Sequence, residues 1–497
     1  STFFPYTTLF RSRRLQKVEP MKIRLHEIDR DVRIEVMRRH DVDQHELRHG
    51  VGVIERHAMR HAAAAVVTDE GTTTYRELLG SAESIAVGLR NRGIRRAALL
   101  DHDAVTVLAV LAGASLVGTE ICQYPPTDDA GQIRTLADRF DHAVLITRRA
   151  GPADLAVLSP EQLHEPGSIP QAPPGRRPLL VLTTGTTGAP RGARHDWNRV
   201  LRAAERIRPG TGQRWLLAYG LHQFAGLQIL VHVLAARATL VAPAPRRPSE
   251  GLAAMRRHGV THASATPTYW RFLLAELRAD GGPVPNLRQI TLGGEAIPPT
   301  VLDALSATFP EAGISQVYAA SEFGSSSSMR DGRHGLSLEV LERDDSADIA
   351  MKIVDGELWV RSRVGMLGYY GEEPLDADGW RPSGDLVDVV GDRILFRGRT
   401  SEVINVGGVK VHPLPVEERV GAVGGVDMAR VYGRPNALTG SIVALEVVPA
   451  PGVDTDQLAA DIRAACADLP PAARPRSIRF VDSVAMAGNK IVRRTDA

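Results

Sequence analysis

Pro178-Leu-Leu-Val-Leu-Thr-Thr-Gly-Thr-Thr-Gly-Ala-Pro-Arg-Gly192 is an apolar run that empties into threonine and glycine. Residues 178–182 read as a buried strand. In the segment Thr183, Thr184, Gly185, Thr186, Thr187 and Gly188, glycine lets backbone N–H groups approach a ligand closely. Successive N–H groups and hydroxyls then form a concave surface suited to anions. The expectation is a phosphate cradle, set against a polar turn that binds nothing. A Walker loop needs Gly-Lys-Ser/Thr; none follows here, and Arg191 is the only cation of the loop.

Outward from this loop the chain alternates. Upstream, residues 74–91 form an amphipathic helix stopped by Gly93, 97–100 and 143–146 read as strands, and 104–117 as a buried helix. A proline- and glycine-rich loop, 160–178, leads into the opening strand. Downstream, strands are expected over 215–218, 239–242, 262–265 and 289–292, with helices over 227–234, 252–258 and 269–277. Strands alternating with helices predict an α/β fold with a parallel, doubly covered sheet. Residues 356–396 read as a small barrel or meander. The last hundred or so residues read as a compact α+β unit, with strands over 429–432, 442–448 and 477–481 and a helix over 454–467. The boundary is expected near Arg399–Ser401.

Composition narrows the function classes. A 497-residue chain of net charge +2 gives no reason to expect a nucleic-acid partner. Its basic residues are nearly all arginine, the lysines being Lys17, Lys22, Lys352, Lys410 and Lys490. Cys122 and Cys466 supply no disulfide framework and suit a reducing, cytoplasmic setting. The longest uncharged apolar stretch, 104–119, is shorter than the ~18–20 residues of a membrane span. Residues 1–12 resemble the translation of a sequencing adapter, so 1–20 are read as a non-native leader with the native start expected near Met21. One rival motif precedes the core: His45-Glu46-Leu47-Arg48-His49 matches the zinc-protease pattern His-Glu-x-x-His. Residue 55, where an extended form of that motif needs histidine, is glutamate. A solvated helix face is the simpler reading.

Five further stretches complete the pattern. Gln289-Ile-Thr-Leu-Gly-Gly-Glu-Ala296 is a strand emptying into a glycine turn, and Gln316-Val-Tyr-Ala-Ala-Ser-Glu322 a strand ending in small residues and a carboxylate. Trp380-Arg-Pro-Ser-Gly-Asp-Leu386 is expected to put Asp385 on a tight turn. Phe396-Arg-Gly-Arg-Thr-Ser-Glu-Val-Ile-Asn-Val-Gly-Gly-Val-Lys-Val-His-Pro413 carries a second glycine loop, and Gly488-Asn-Lys-Ile-Val-Arg493 closes the series. In this order the six resemble the adenylate-forming superfamily of AMP-dependent synthetases and ligases: acyl-CoA synthetases, peptide-synthetase adenylation domains and luciferases. The resemblance spans about residues 74–493. It implies an N-terminal region, 21–399, of two α/β subdomains plus a small β-barrel. A mobile α+β C-terminal domain, 400–497, would close over it.

The resemblance also implies a reaction. A carboxylate attacks the α-phosphorus of ATP, pyrophosphate leaves, and an acyl-adenylate remains. Thr183 to Gly188 would cradle the outer phosphates, with Arg191 standing where lysine is usual. Glu322 would hold Mg²⁺, a hard cation that favours oxygen donors. Gly294, Glu295, Ala296, Tyr318, Ala319, Ser321, Asp385 and Arg399 would hold the nucleotide: Tyr318 by its ring face, Asp385 by accepting from both ribose hydroxyls. Lys490 would stabilise the charge that develops between the acid and the α-phosphate. His222, Gln223, Phe224, Gly226, Gly293 and Ala320 would line the acid pocket. No aspartate stands in the first of these stretches to meet an ammonium group, which argues against an α-amino acid. Phe224 and the small residues opposite point to an aromatic, cyclic or medium-chain acid. Coenzyme A is the expected acceptor, with a carrier protein or an amine as alternatives. The hinge would fall at Ser401, and the role of Lys410 stays open. The other classes in play are an inactive nucleotide-binding homologue and, remotely, the zinc protease.

Overall fold

The computed structural model describes residues 63–169, 175–183, 189–205, 207–245, 247–487 and 490–493. His45 and His49 of the protease-like motif, and Thr184–Gly188, lie outside them.

Among these residues two large sheets dominate. The first runs, in spatial order, Gly368–Tyr369, Arg191–Asp196, Pro178–Thr183, Glu120–Gln123, Arg96–Leu99, Val144–Ile146 and Ala156–Leu158. Its strands from Pro178–Thr183 onward are parallel. The second runs Gly324–Met329, Gly313–Ala320, Gln289–Gly293, His262–Ala265, Arg214–Leu217, Thr239–Val241, Ala64–Val67 and Thr72–Thr74, parallel except at its two ends. This is the α/β architecture expected from the alternation, now resolved into two sheets.

Helices Tyr75–Asn91, Ala104–Val117 and Phe224–Ala236 share one apolar core, which draws on strands of both sheets. Tyr75–Asn91 starts where Thr74 and Glu77 cap each other: the Thr74 hydroxyl accepts the Glu77 N–H at 3.2 Å, and Glu77 accepts the Thr74 N–H at 2.8 Å. Ala104–Val117 is buried nearly all round, as its uninterrupted apolar sequence requires. A second core, around Trp270, Leu273 and Leu305, covers the outer face of the second sheet.

A five-stranded antiparallel sheet, residues 336–399, follows. Asp385 departs from expectation here. It lies inside the strand Arg381–Val390, not on a tight turn. Gly384 takes the left-handed φ of +79° and the register slips after Leu386, so a turn-like dipeptide is absorbed as an irregularity of a continuing strand. Beyond Arg399 a separate sheet, with strands Ile404–Val406, Val409–Val411, Val426–Asn436, Gly440–Pro449 and Ser477–Phe480, packs on helices Pro413–Gly421 and Thr455–Ala465. This smaller C-terminal domain ends in a hairpin of two two-residue strands, Met486–Ala487 and Lys490–Ile491. No helix among the described residues is long and apolar enough to cross a membrane.

Candidate active site

In sequence the Gly/Thr segment falls between two paired strands. Strands Pro178–Thr183 and Arg191–Asp196 pair antiparallel, with Thr183 opposite Arg191. The Thr183 hydroxyl donates to the Arg191 carbonyl at 3.4 Å. Arg191 is not a free surface cation. Its guanidinium lies 3.4 Å from the centroid of the Tyr369 ring and pairs with Glu372. The Tyr369 hydroxyl in turn donates to Glu322 at 2.7 Å. One continuous contact chain therefore runs from Arg191 of the strand Arg191–Asp196 to the carboxylate expected to hold a metal. Hydrogen bonding to a single oxygen leaves Glu322 further acceptor capacity, the hard-oxygen chemistry that Mg²⁺ takes together with phosphate.

A second cluster forms beside it. Tyr318, near the end of the strand Gly313–Ala320, donates its hydroxyl to Asp385 Oδ2 at 2.7 Å. Arg399 Nε donates to Asp385 Oδ1 at 3.0 Å, the two residues being direct partners across antiparallel strands. Burial first, and the Asp385 charge second, push the Tyr318 phenol well above its ordinary value, so it remains a donor. The Tyr318 ring also stacks on Phe396, centroids 5.2 Å apart at 28°, which commits one ring face to the protein. Arg399 is held charged by Asp385 foremost, against the opposing effect of burial. Ala319 and Ala320 complete the strand, and Ser321 and Glu322 follow in the turn.

Gly293 ends the strand Gln289–Gly293 beside Val317 of the neighbouring strand, and the buried Tyr219 hydroxyl donates to its carbonyl at 3.3 Å. Gly294 turns the chain with φ +84°. The Glu295 carboxylate takes a direction the sequence did not indicate. One oxygen accepts the Thr268 N–H at 3.2 Å; the other accepts the N–H of Ile491, in the C-terminal domain, at 3.0 Å. The terminal strand carrying Lys490 is thus docked against the glycine turn.

The expected acid-pocket residues divide into two kinds. His222 is half-buried; burial first, then nearby His102, lowers its pKa to about 4, so it offers a neutral imidazole. Gln223 precedes the helix Phe224–Ala236 and folds back, its Oε1 accepting the Gly220 N–H at 3.0 Å. Phe224 is buried and stacked on His195, with centroids 4.9 Å apart. At Gly226 a Cβ would stand 2.3 Å from the Gly220 carbonyl oxygen, so this glycine serves a close backbone approach. Sequence reading missed Tyr219, Tyr369, Glu372 and Phe396. Only Tyr369 carried a local signal, the glycine-flanked pair Gly368-Tyr-Tyr-Gly371.

The chain is similar to known proteins. The family described as AMP-binding enzyme matches residues 54–370, and its C-terminal domain matches 415–490. A feruloyl-CoA synthase of Amycolatopsis sp is 27% identical over 479 residues, covering 87% of this chain and 93% of that protein. A fatty acid–[acyl-carrier-protein] ligase of Mycobacterium marinum is 27% identical over 466 residues, covering 81% and 87%. Among solved structures, an anthranilate CoA ligase in complex with anthranoyl-AMP superposes with a TM-score of 0.78 at 19% identity, covering 89% of this chain and 95% of that one.

Proposed function

The chain belongs to the AMP-binding enzyme family, and on that premise we propose that it activates a carboxylic acid with ATP and passes the acyl group to a thiol. In the first step an acid oxygen bonds to the α-phosphorus, the bond to the pyrophosphate oxygen breaks, and acyl-AMP and pyrophosphate result. In the second a thiolate attacks the acyl carbonyl and AMP departs. The observation that carries this reading is the docking of the Lys490–Ile491 strand onto Glu295, beside the Tyr318–Asp385–Arg399 cluster.

The residues divide the work as follows. The hairpin from Thr183 to Arg191 holds the outer phosphates, and Glu322 holds Mg²⁺ together with phosphate oxygens. Asp385 meets the ribose, oriented by Tyr318 and Arg399. Lys490 neutralises charge as it builds at the reacting oxygens. The working division is a nucleotide-binding domain over 21–399 and a lid over 400–497.

The acid is aromatic, cyclic or of medium chain length. Support comes from the neutral His222 beside Phe224 and small residues, and from likeness to a protein named feruloyl-CoA synthase. Coenzyme A is the acceptor favoured by that same relative; likeness to the carrier-protein ligase keeps a pantetheine carrier as the second reading. Exchange of labelled pyrophosphate into ATP over a panel of acids tests the first step. Adding CoA, carrier protein or amines, with product masses read out, tests the second. Exchange with at least one aromatic or cyclic acid is expected, and none with any acid overturns the proposal.

A further inference from the structure

We infer that Glu295 is a positioning residue for Lys490 that serves acid activation and has no part in acyl transfer to the acceptor; this rests on the function proposed above. Glu295 belongs to the glycine turn, where sequence reading assigned it to the nucleotide. Its carboxylate instead spans the two domains. Oε2 accepts the Thr268 N–H at 3.2 Å. Thr268 is the second residue of the helix Pro267–Asp280, whose capping Thr266 side chain accepts from Tyr269. A carboxylate there satisfies an N–H that the helix leaves unpaired and sits favourably on the positive end of the helix dipole. Oε1 accepts the Ile491 N–H at 3.0 Å. The cations Arg271 and Arg493 flank the same cleft and act on Glu295 by charge.

The contact falls on an informative bond. The Ile491 N–H shares one rigid peptide plane with the Lys490 carbonyl. Fixing that N–H fixes the plane from which Lys490 departs. The strand has little else to orient it toward the large domain. It is two residues long and, among the described residues, pairs with Met486–Ala487. Its downstream flank is tied within the C-terminal domain: Arg493 forks onto Glu417 at 2.8–3.0 Å, and Arg430 donates to the Val492 carbonyl. Among the described residues, Ile491 to Glu295 is the hydrogen bond joining this hairpin to the large domain. Breaking it leaves both the nucleotide cluster and the internal ties of the C-terminal domain intact.

The test separates the half-reactions. Glu295→Ala removes the acceptor altogether. Ile491→Pro removes the donor, together with the isoleucine side chain at the cleft, while keeping Glu295 on Thr268 and suiting a Lys490 that is already extended. In the full-length protein, either variant is expected to lower the kcat of pyrophosphate exchange by roughly 10- to 100-fold, the scale of a misplaced reacting group. The KM for ATP and the turnover of a synthetic acyl-adenylate with acceptor should change less than about threefold. On a Lys490→Ala background, Glu295→Ala should slow exchange by less than about twofold further, because nothing remains to position. An equal loss in both half-reactions, a rise in the KM for ATP without loss of kcat, or unchanged exchange in Ile491→Pro would each overturn the inference. Wild-type protein that exchanges with no acid would instead defeat the functional reading itself, and the two failures are thereby distinguished.

Discussion

Asp385 and Lys490 are both read as facing ATP, yet they are held in opposite ways. Asp385 lies in the ten-residue strand Arg381–Val390, receives Tyr318 at 2.7 Å and Arg399 at 3.0 Å, and depends only on the large domain. Lys490 lies in a two-residue strand of the small domain, and the described residues of that strand reach the large domain through the hydrogen bond from the Ile491 N–H to the Glu295 carboxylate. The end proposed to recognise the nucleotide is preorganised by sheets that carry hydrophobic cores. The end proposed to meet developing charge is attached, among the described residues, by the hydrogen bond from Ile491 to Glu295. Binding and chemistry are therefore expected to be separable by substitution.

The sharpest break is at Lys490. Lys490→Ala should lower pyrophosphate exchange by roughly 10²- to 10³-fold, the usual consequence of losing a charge-stabilising donor. Turnover of a synthetic acyl-adenylate should persist and the melting temperature should hold. Unchanged exchange would remove Lys490 from the chemistry and erase the contrast with Asp385.

At the preorganised end, Asp385→Asn keeps the shape but loses the charge that Arg399 and Tyr318 address. Hydrogen bonds to charged groups contribute about 1.5–3 kcal/mol, so the KM for ATP should rise roughly 10- to 100-fold with a smaller change in kcat. A loss confined to kcat would show that Asp385 and Lys490 do the same kind of work.

Gly226 tests whether the acid pocket is wall or scaffold. A methyl group there would meet the Gly220 carbonyl oxygen at 2.3 Å. Gly226→Ala should destabilise the fold by about 1–3 kcal/mol, the ordinary range for forced overpacking. Calorimetry should show a lower melting temperature, while the rank order of accepted acids should not change. A changed order at unchanged stability would return Gly226 to the pocket wall.

The contrast also explains what was legible in the sequence. Helix 104–117 and strand 262–265 were read with their observed bounds, because a continuous apolar run and a β-branched or small-residue run between turns are local signals. The first sheet's strand Glu120–Gln123 and helix Ala130–Phe140 were missed: the strand follows Gly118 with only four residues, and the helix opens on a polar Asp128-Asp129 pair that reads as loop. Asp385 was found by its motif and misplaced in its element, since one left-handed glycine mimics a turn that strand pairing overrides. Tyr369 and Phe396 escaped because their partners, Glu322 and Tyr318, lie 47 and 78 positions away, separations that no local pattern records. The tie from Glu295 to the C-terminal domain was invisible for the same reason. Its partner Ile491 is 196 positions downstream and offers only a backbone N–H, which carries no residue identity.

The weakest expected effect concerns Glu418, on the helix Pro413–Gly421 that faces the cleft between the domains. Burial first, and the neighbouring Glu417 second, raise its pKa from the ordinary carboxylate value to about 7. His334, 3.8 Å away, does not compensate, because burial first and Arg393 second lower its own pKa and favour the neutral ring. The folded protein therefore binds this proton more tightly than the unfolded chain does. The resulting stabilisation is complete below the ordinary pKa of 4.5 and is lost as pH rises through about 7. At pH about 8 the wild type carries a half-buried carboxylate beside Glu417, so Glu418→Gln should melt higher by roughly 2–4 °C. Near pH 5, where Glu418 is already protonated, the two proteins should melt together. If the C-terminal domain closes by setting this helix against Glu295 and Arg271, Glu418→Gln should also flatten the alkaline decline of pyrophosphate exchange while leaving acyl-adenylate turnover alone. A melting difference that is the same at both pH values would show that Glu418 does not titrate in this range.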